Sequence, residues 1–568
     1  MARRFSTLPL LPAPRELILL GPEVEIALLP FREIVDPALP GLPGEEMYTV
    51  EVDEKEVRLA ARQKVGLRWA RATLAQLQRL GRVPCLRLAD APRLAHRGVM
   101  LDISRNRVPT LATLRELVDR IASWKMNHLQ LYVENTVAYV GHEEAWQGVS
   151  PMTLEELTEL DAYAAEQGVA LTANQNCLGH FERWLSHPRY APLAEVDQPS
   201  IIMGRYFRTP NTLCPLDPGS LALVTDLLGQ LLPRCSGNYA NIGCDEPWDL
   251  GRGRSRERCA EIGRERVFSD YLRQVAEVVD KAGKKPQFWC DPHPNEDDGL
   301  PLDLVPLIWG YDASEPMAER AAAHRAAGRE IWVAPGTSCW NSTTGRTWNR
   351  RANLDQAAAI EATGFLCTAW GDDGHRQPWP LTLAGFADAA MAAWSGPGKF
   401  DDEAVGWHVF GNPAWGPWLS ELGNVDQELC RGERPDWTGQ GRTEGVVLHN
   451  QTALWEEMNT PYERPHGRGD TAAWEEVGAR LEVLQNKCPG EGAALLTREL
   501  LHGLNIARWT VDLALARRAG QPVEEARAKL TERMCALTGE FSRLWLARSR
   551  PGGLPDSVRR YGQTATFD

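Results

Sequence analysis

The sequence predicts an α/β protein organised around a closed (β/α)8 TIM barrel, and three observations carry that prediction. Between Arg97 and Trp394, short runs rich in β-formers alternate with amphipathic helical stretches, as parallel strands joined by crossover helices require. Eight such strands can be placed, the number at which a parallel barrel of this kind closes. The fourth, ending Ile242-Gly243-Cys244-Asp245-Glu246, runs into two adjacent carboxylates before Pro247 breaks it, and strand carboxyl ends are where such barrels keep their chemistry. A small α+β domain over residues 1–94 is expected before the barrel of residues 95–397, and a mainly α-helical domain over 398–568 after it.

In the first domain, residues 48–52 and 56–60 alternate as a two-stranded unit, and the spacing predicts a helix over 70–80. The barrel strands are read at 98–104, 128–134, 169–174, 239–244, 286–290, 305–310, 330–334 and 364–370. After Pro109 and the N-cap Thr110, Leu114, Leu117, Val118 and Ile121 form one apolar helix face. Thr153 and Glu156 form a capping box, and Gly168 stops that helix. Residues 292–304 are too short and too rich in Pro and Asp for a regular helix, so an irregular connection is expected there. Two long insertions, 135–152 and 175–218, carry Trp146, Phe181, Trp184, Tyr190, Tyr206 and Phe207, which favours packed covers over the active side. Near the end, Leu496, Leu500, Leu504, Ala507, Val511 and Leu515 stripe a long helix that stops at Gly520, and a further helix covers about 523–548.

Composition narrows the function. The 568 residues carry a formal net charge of −14 with no run of like charge, which argues against nucleic acid or an anionic membrane as partner. No stretch approaches membrane-spanning length, and prolines cut the apolar start, so neither a membrane span nor a signal peptide is expected. The twelve cysteines lack zinc spacing, and a reducing, cytoplasmic setting follows as the simplest reading. Gly251-x-Gly253 lacks the third glycine of a dinucleotide loop, and no phosphate-binding loop or H-E-x-x-H occurs. No cofactor and no metal are expected.

Glycosidases ordinarily flank the scissile bond with carboxylates from different strands. Asp245 and Glu246 are neighbours and approach a sugar from one side. That suits a substrate bringing its own nucleophile, a 2-acetamido group whose carbonyl oxygen attacks the anomeric carbon. Glu246 would protonate the leaving oxygen while Asp245 polarises the acetamido N–H, and two like charges so close raise one pKa. The competing reading, in which the pair serves only the dipole of a following helix, is weakened because that helix is expected to start near Ser255.

Gly243-Cys244-Asp245-Glu246 resembles the Gly-Gly-Asp-Glu strand of glycoside hydrolase family 20, the β-N-acetylhexosaminidases. Residues 97–105 look like that family's first strand, which ends in an arginine, here Arg105, that grips sugar hydroxyls. Leu178-Gly179-His180 resembles its Pro-Gly-His turn, residues 66–77 its small N-terminal domain's helix, and the tail ending Arg550-Pro551-Gly552-Gly553-Leu554 a subgroup of intracellular bacterial members. Strand two offers Tyr132-Val133-Glu134-Asn135 where many relatives carry Asp-Asp, giving Glu134 a sugar contact. Strand eight offers Trp370-Gly371-Asp372-Asp373 in place of Trp-x-Glu, leaving Asp372, ahead of Asp373, to meet the outer hydroxyls.

Trp289, Trp309, Trp340 and Trp370 are read as closing strands, where indoles stack on a pyranose or wall an acetamido methyl; ordinary packing is the alternative for each. By the resemblance, Tyr311 hydrogen-bonds the acetamido carbonyl. His180 is either a sugar ligand, part of a network behind the acid, or a structural histidine. The expected function is exo-hydrolysis of nonreducing terminal N-acetylglucosamine or N-acetylgalactosamine with retention through an oxazolinium intermediate. The expected partner is a small-molecule or oligosaccharide substrate, and a homo-oligomer is compatible with it. Two rivals stand beside this: a sugar-binding barrel without turnover, and a metal hydrolase using His142, His180, His293 and His375.

Overall fold

The computed structural model describes residues 8–202, 205–207, 209–291, 300–431, 434–435, 442–443, 450–460, 462, 468–490 and 494–566. Five strands come first: β1 (Glu16–Glu25), β2 (Phe31–Val35), β3 (Tyr48–Val52), β4 (Val57–Ala61) and β5 (Arg82–Asp90). They form one sheet in the order β1-β5-β3-β4-β2, packed by the helix Lys64–Gln78. The expected two-stranded unit is therefore only the β3–β4 pair of a five-stranded sheet. β1 escapes a periodicity reading because Leu17 to Leu20 is a continuous apolar run and the register against β5 shifts between Leu19 and Glu23, around Gly21 and Pro22. The helix starts six residues earlier than read, at Lys64, because Gly66 packs against the Met47 carbonyl and the Ala61 side chain, where a Cβ would lie 2.8 Å and 2.9 Å away.

Next comes the barrel, with β6 (His96–Asp102), β7 (His128–Val133) and β8 (Ala170–Gln175). A hairpin of β9 (Ser200–Ile202) and β10 (Arg205–Phe207) lies in the second insertion. The remaining barrel strands are β11 (Tyr239–Asn241), β12 (Lys285–Cys290), β13 (Val305–Trp309), β14 (Trp332–Ala334) and β15 (Gly364–Ala369). All eight pair in parallel, and the β15–β6 register from Gly364↔His96 to Ala369↔Leu101 closes the cylinder. The Thr110 hydroxyl caps helix Leu111–Ser123, the Thr153–Glu156 capping box opens helix Leu154–Gln167, and Gly168 ends it at φ +79°.

Two strand readings are corrected. The fourth strand stops at Asn241 because Gly243, Cys244 and Glu246 adopt φ of +64°, +67° and +49°, which no β-ladder accommodates. Trp340 closes no strand; β14 ends at Ala334, and Trp340 stands in the loop beyond it. The reading of 292–304 falls largely on residues 292–299, outside the described residues, and 300–304 form turns.

The insertions pack as covers. Phe181, Trp184 and Tyr190 are buried, with Trp184 edge-on to Tyr190 at 5.2 Å between centroids. The side chains of Tyr206 and Phe207 lie outside the described ones. In the helical region, helices Leu495–Arg518, Val523–Leu546 and Leu554–Thr566 follow one another. Leu500, Leu504, Ala507 and Val511 join the barrel's own core, so this region is welded to the barrel by apolar burial. Among the described residues no helix is long and apolar enough to cross a membrane.

Candidate active site

The carboxyl end of the barrel opens into a cavity of about 550 Å³. It is lined by Arg105, Glu134, His180, Asp245, Glu246, Trp289, Trp309, Tyr311, Trp340, Trp370, Asp372 and Asp373, so the structure brings together all twelve residues expected to act on or bind the sugar. Glu182, Asn211, Trp248, Asn341 and Asn450 line it too and were not read as site residues from the sequence, where Asn341 and Asn450 stand out only as N-x-S/T glycosylation sequons.

The acid pair sits on a strained turn. Glu246 at φ +49° lies in a region that costs a non-glycine residue about 1–3 kcal/mol, and such strain persists only where the surroundings hold it. Asp291, just past β12, accepts the Glu246 N–H at 2.8 Å. Asn176 reaches across from the β8 loop, donating Nδ2 to Asp245 Oδ1 at 2.7 Å, while its Oδ1 accepts the Cys244 N–H at 2.9 Å. Gly179 lets the His180 turn press against the pair, since a Cβ there would lie 2.2 Å from the Asp245 carbonyl oxygen.

His180 bridges three carboxylates. Its Nε2 lies 3.3 Å from Asp245 Oδ2 and 3.5 Å from Glu246 Oε2, and its Nδ1 lies 3.9 Å from Glu134 Oε1. Burial disfavours its cation, but Asp245 outweighs burial and the imidazole is pushed up to about 10. Burial likewise works against the Asp245 carboxylate, yet the imidazolium and Asn176 hold it below the ordinary range. Glu246 goes the other way: burial raises it, the Asp245 charge adds to the rise, and His180 only partly offsets them. Asp291 is raised well above the ordinary range by burial and by Asp245. The pair is thus poised with Asp245 ionised and Glu246 the more readily protonated, the division of labour that acid catalysis beside a fixed anion needs.

Arg105 pairs with Asp102 at 3.0 Å and Glu134 at 3.3 Å, and its guanidinium lies 4.7 Å and 5.0 Å from the Tyr132 and Trp370 ring centroids. Glu134 also accepts from the Tyr132 hydroxyl at 3.1 Å, so its carboxylate orients Arg105 and Tyr132 from a site almost sealed from solvent. Asp102, missed from sequence, accepts the Ser104 and Gly371 N–H groups at 2.8 Å and 2.9 Å and ties the first strand's end to the eighth's.

The opposite wall is aromatic. Tyr311 stacks on Trp309 at 5.3 Å, meets Trp340 edge-on at 5.2 Å and Trp370 at 6.4 Å, and Trp289 lies 5.5 Å from Trp370. Such a box suits the apolar face of a pyranose or a small methyl group. Asp373 is held by ion pairs to Arg376 and Arg560, whereas Asp372 accepts from Asn341 Nδ2 at 3.4 Å.

The histidines do not converge. His142 bonds Tyr190 and Asp226 at 2.8 Å and 2.7 Å, His375 is buried behind Gly371, and His293 lies outside the described residues. Among the described residues no group of three or more His, Cys, Asp or Glu side chains is disposed to hold a metal ion.

Residues 94–363 match the family model described as glycosyl hydrolase family 20, catalytic domain. A beta-hexosaminidase of Vibrio furnissii is 26% identical over 329 residues, 51% of this chain and 52% of that protein. A beta-N-acetylhexosaminidase of Cellulomonas fimi is 25% identical over 316 residues, 52% of this chain and 59% of that protein. The chain thus spans little more than half the length of these curated relatives. The crystal structure of a chitobiase from Flavobacterium johnsoniae superposes with a TM-score of 0.57 over 95% of this chain and 99% of that one, at 16% identity, and so shares its fold. Seven of the eight barrel strands, β6 to β8 and β11 to β14, and the acid pair just past β11 fall within residues 94–363, the part of the chain that is similar to the glycosyl hydrolase family 20 catalytic domain.

Proposed function

We propose that the protein is an exo-acting β-N-acetylhexosaminidase that releases nonreducing terminal N-acetylglucosamine or N-acetylgalactosamine with retention of configuration. The observation that carries this reading is that Asp245 and Glu246 reach one cavity from a single turn, facing an aromatic box. No second carboxylate is needed across the bond when the sugar's acetamido oxygen is the nucleophile.

In the first step that oxygen attacks the anomeric carbon, the glycosidic C–O bond breaks, and Glu246 gives its proton to the departing oxygen. Asp245, kept anionic by His180, accepts the acetamido N–H and balances the positive charge of the oxazolinium ion. Tyr311 hydrogen-bonds the acetamido oxygen, and the tryptophans wall its methyl group. In the second step Glu246, now a carboxylate, takes a proton from water as the water oxygen attacks the anomeric carbon and reopens the ring. Arg105, Glu134 and Asp372 meet the outer hydroxyls, with Asp373 behind them. No cofactor enters.

A cytoplasmic setting is part of the proposal, supported by twelve cysteines that are all free, nine of them buried. The intracellular bacterial subgroup and the division at 94/95 and 397/398 belong to the same reading. A homo-oligomer is supported by the exposed apolar edge strand β1, in which Ile18 is 58% exposed. Hydrolysis of paired aryl glycosides with and without the 2-acetamido group tests the chemistry. Cleavage of the acetamido sugars alone is expected; equal cleavage of plain glucosides overturns it.

A further inference from the structure

The cavity holds a side chain that the acid pair does not use and that the barrel does not supply. Asn450 belongs to the helical region, yet it lines the same cavity as Asp245 and Glu246. Its backbone is anchored from the barrel side. Asp312, the residue after Tyr311, accepts the Asn450 N–H at 3.2 Å and is itself in a buried ion pair with Arg346. Thr452 donates its N–H to the Asn341 carbonyl at 3.3 Å, docking this segment on the loop that follows β14.

Asn450 and Asn341 both adopt left-handed φ, +53° and +48°, a conformation asparagine tolerates better than most residues. Asn341 turns its Nδ2 toward Asp372 Oδ2 at 3.4 Å, which fixes its amide and leaves Oδ1 as an acceptor. That oxygen and Asn450 Oδ1 are both buried without a hydrogen-bond partner among the described residues. A sealed amide oxygen lacking a donor is unfavourable unless a ligand brings one. This part of the lining thus presents two asparagine oxygens beside a carboxylate. Hydroxyl groups are the donors a neutral sugar offers.

We propose that Asn450 is a specificity-determining residue whose amide oxygen accepts a hydrogen bond from a ring-substituent hydroxyl of the sugar in the cavity, so that the helical region completes the active site. This rests on the N-acetylhexosaminidase reading and sharpens it: the site distinguishes sugars by hydroxyls beyond the acetamido group.

The test uses Asn450→Gly, because glycine suits φ +53° and removes the side chain without straining the loop. Asn450→Asp keeps an acceptor. The readout is kcat/KM on aryl N-acetylglucosaminide, its galacto epimer and the 3-, 4- and 6-deoxy analogues. For the full substrate the glycine variant is expected to fall about 10- to 100-fold, with the loss vanishing against one deoxy analogue and the aspartate variant losing less. A change within twofold on every substrate, or an equal loss on all deoxy analogues, overturns the proposal. Should the wild-type protein cleave no N-acetylhexosaminide, the reaction reading fails separately, and calorimetric titration with free N-acetylglucosamine decides. Binding about tenfold weaker in the glycine variant supports the role of Asn450; equal affinity, or no binding by either protein, overturns it.

Discussion

Arg560, on the last helix of the chain, forms an ion pair with Asp373 in the loop that follows the eighth barrel strand. Arg376 holds the same carboxylate and lies 4.3 Å from the Trp455 ring centroid, while the Ser557 hydroxyl donates to the Gly374 carbonyl at 2.7 Å. The loop bearing Asp372 is therefore set by side chains that come from the helical region. Arg560→Ala is expected to cost about 1 kcal/mol of stability, as a partly exposed pair does, and to lower kcat/KM roughly tenfold by loosening Asp372. Thermal melting and steady-state kinetics measure the two separately; unchanged kinetics would remove the loop from the catalytic account.

Asp245 and Glu246 should separate by leaving group. Glu246→Gln is expected to slow substrates with poor leaving groups by about 10²–10⁴, and activated aryl glycosides far less, because only the former need a proton. Asp245→Asn should slow both. Near-normal turnover in both variants contradicts the assignment.

The pH profile follows from the same pair. Activity requires Asp245 ionised, which fails only below the ordinary carboxylate range, and Glu246 protonated, which persists above that range. His180, cationic at neutral pH, lowers both groups. His180→Asn should therefore move both limbs of the kcat/KM profile to higher pH, by on the order of one unit. A profile that stays in place refutes the electrostatic role of His180.

Asp291 is expected to act as a positioning residue through the Glu246 N–H it accepts. Asp291→Ala removes that acceptor, and kcat should fall roughly 10- to 100-fold as the turn relaxes. Asp291→Asn keeps an acceptor and should recover most of the rate. Equal loss in the two variants would show that charge, not the hydrogen bond, is what matters.

Acid should destabilise the fold before it protonates most carboxylates. Burial pushes His128 down to about 3, and His375, His408 and His502 down to about 4, from an ordinary value of 6.5. Because the unfolded chain binds these protons first, the contribution of these four histidines is full above pH 6.5 and falls as pH drops toward 4. Each such histidine contributes about 1.4 kcal/mol per pH unit in that window. Denaturant midpoints at pH 7 and pH 5 measure it; equal midpoints would contradict the burial argument.

The barrel, its eight strands and the acid pair were legible in the amino-acid order because each rests on local regularity. Parallel strands buried on both faces read as apolar runs, helices as stripes, and Asp245-Glu246 as an acidic pair where an apolar run ends. Tertiary structure alone decided what meets across long gaps. Asn176 on Asp245, Asp291 on the Glu246 amide, Asp102 on Gly371 and Asn450 in the cavity all join residues from different loops. The early end of the fourth strand belongs to the same class, since the positive φ of Cys244 and Glu246 is imposed by contacts from neighbouring loops rather than by propensity. Likewise the outer strands of the N-terminal sheet carry little periodicity of their own, and their pairing depends on partners distant in the chain. Spacing along a sequence records which face a residue takes, whereas the approach of one loop to another is set by packing of the whole barrel.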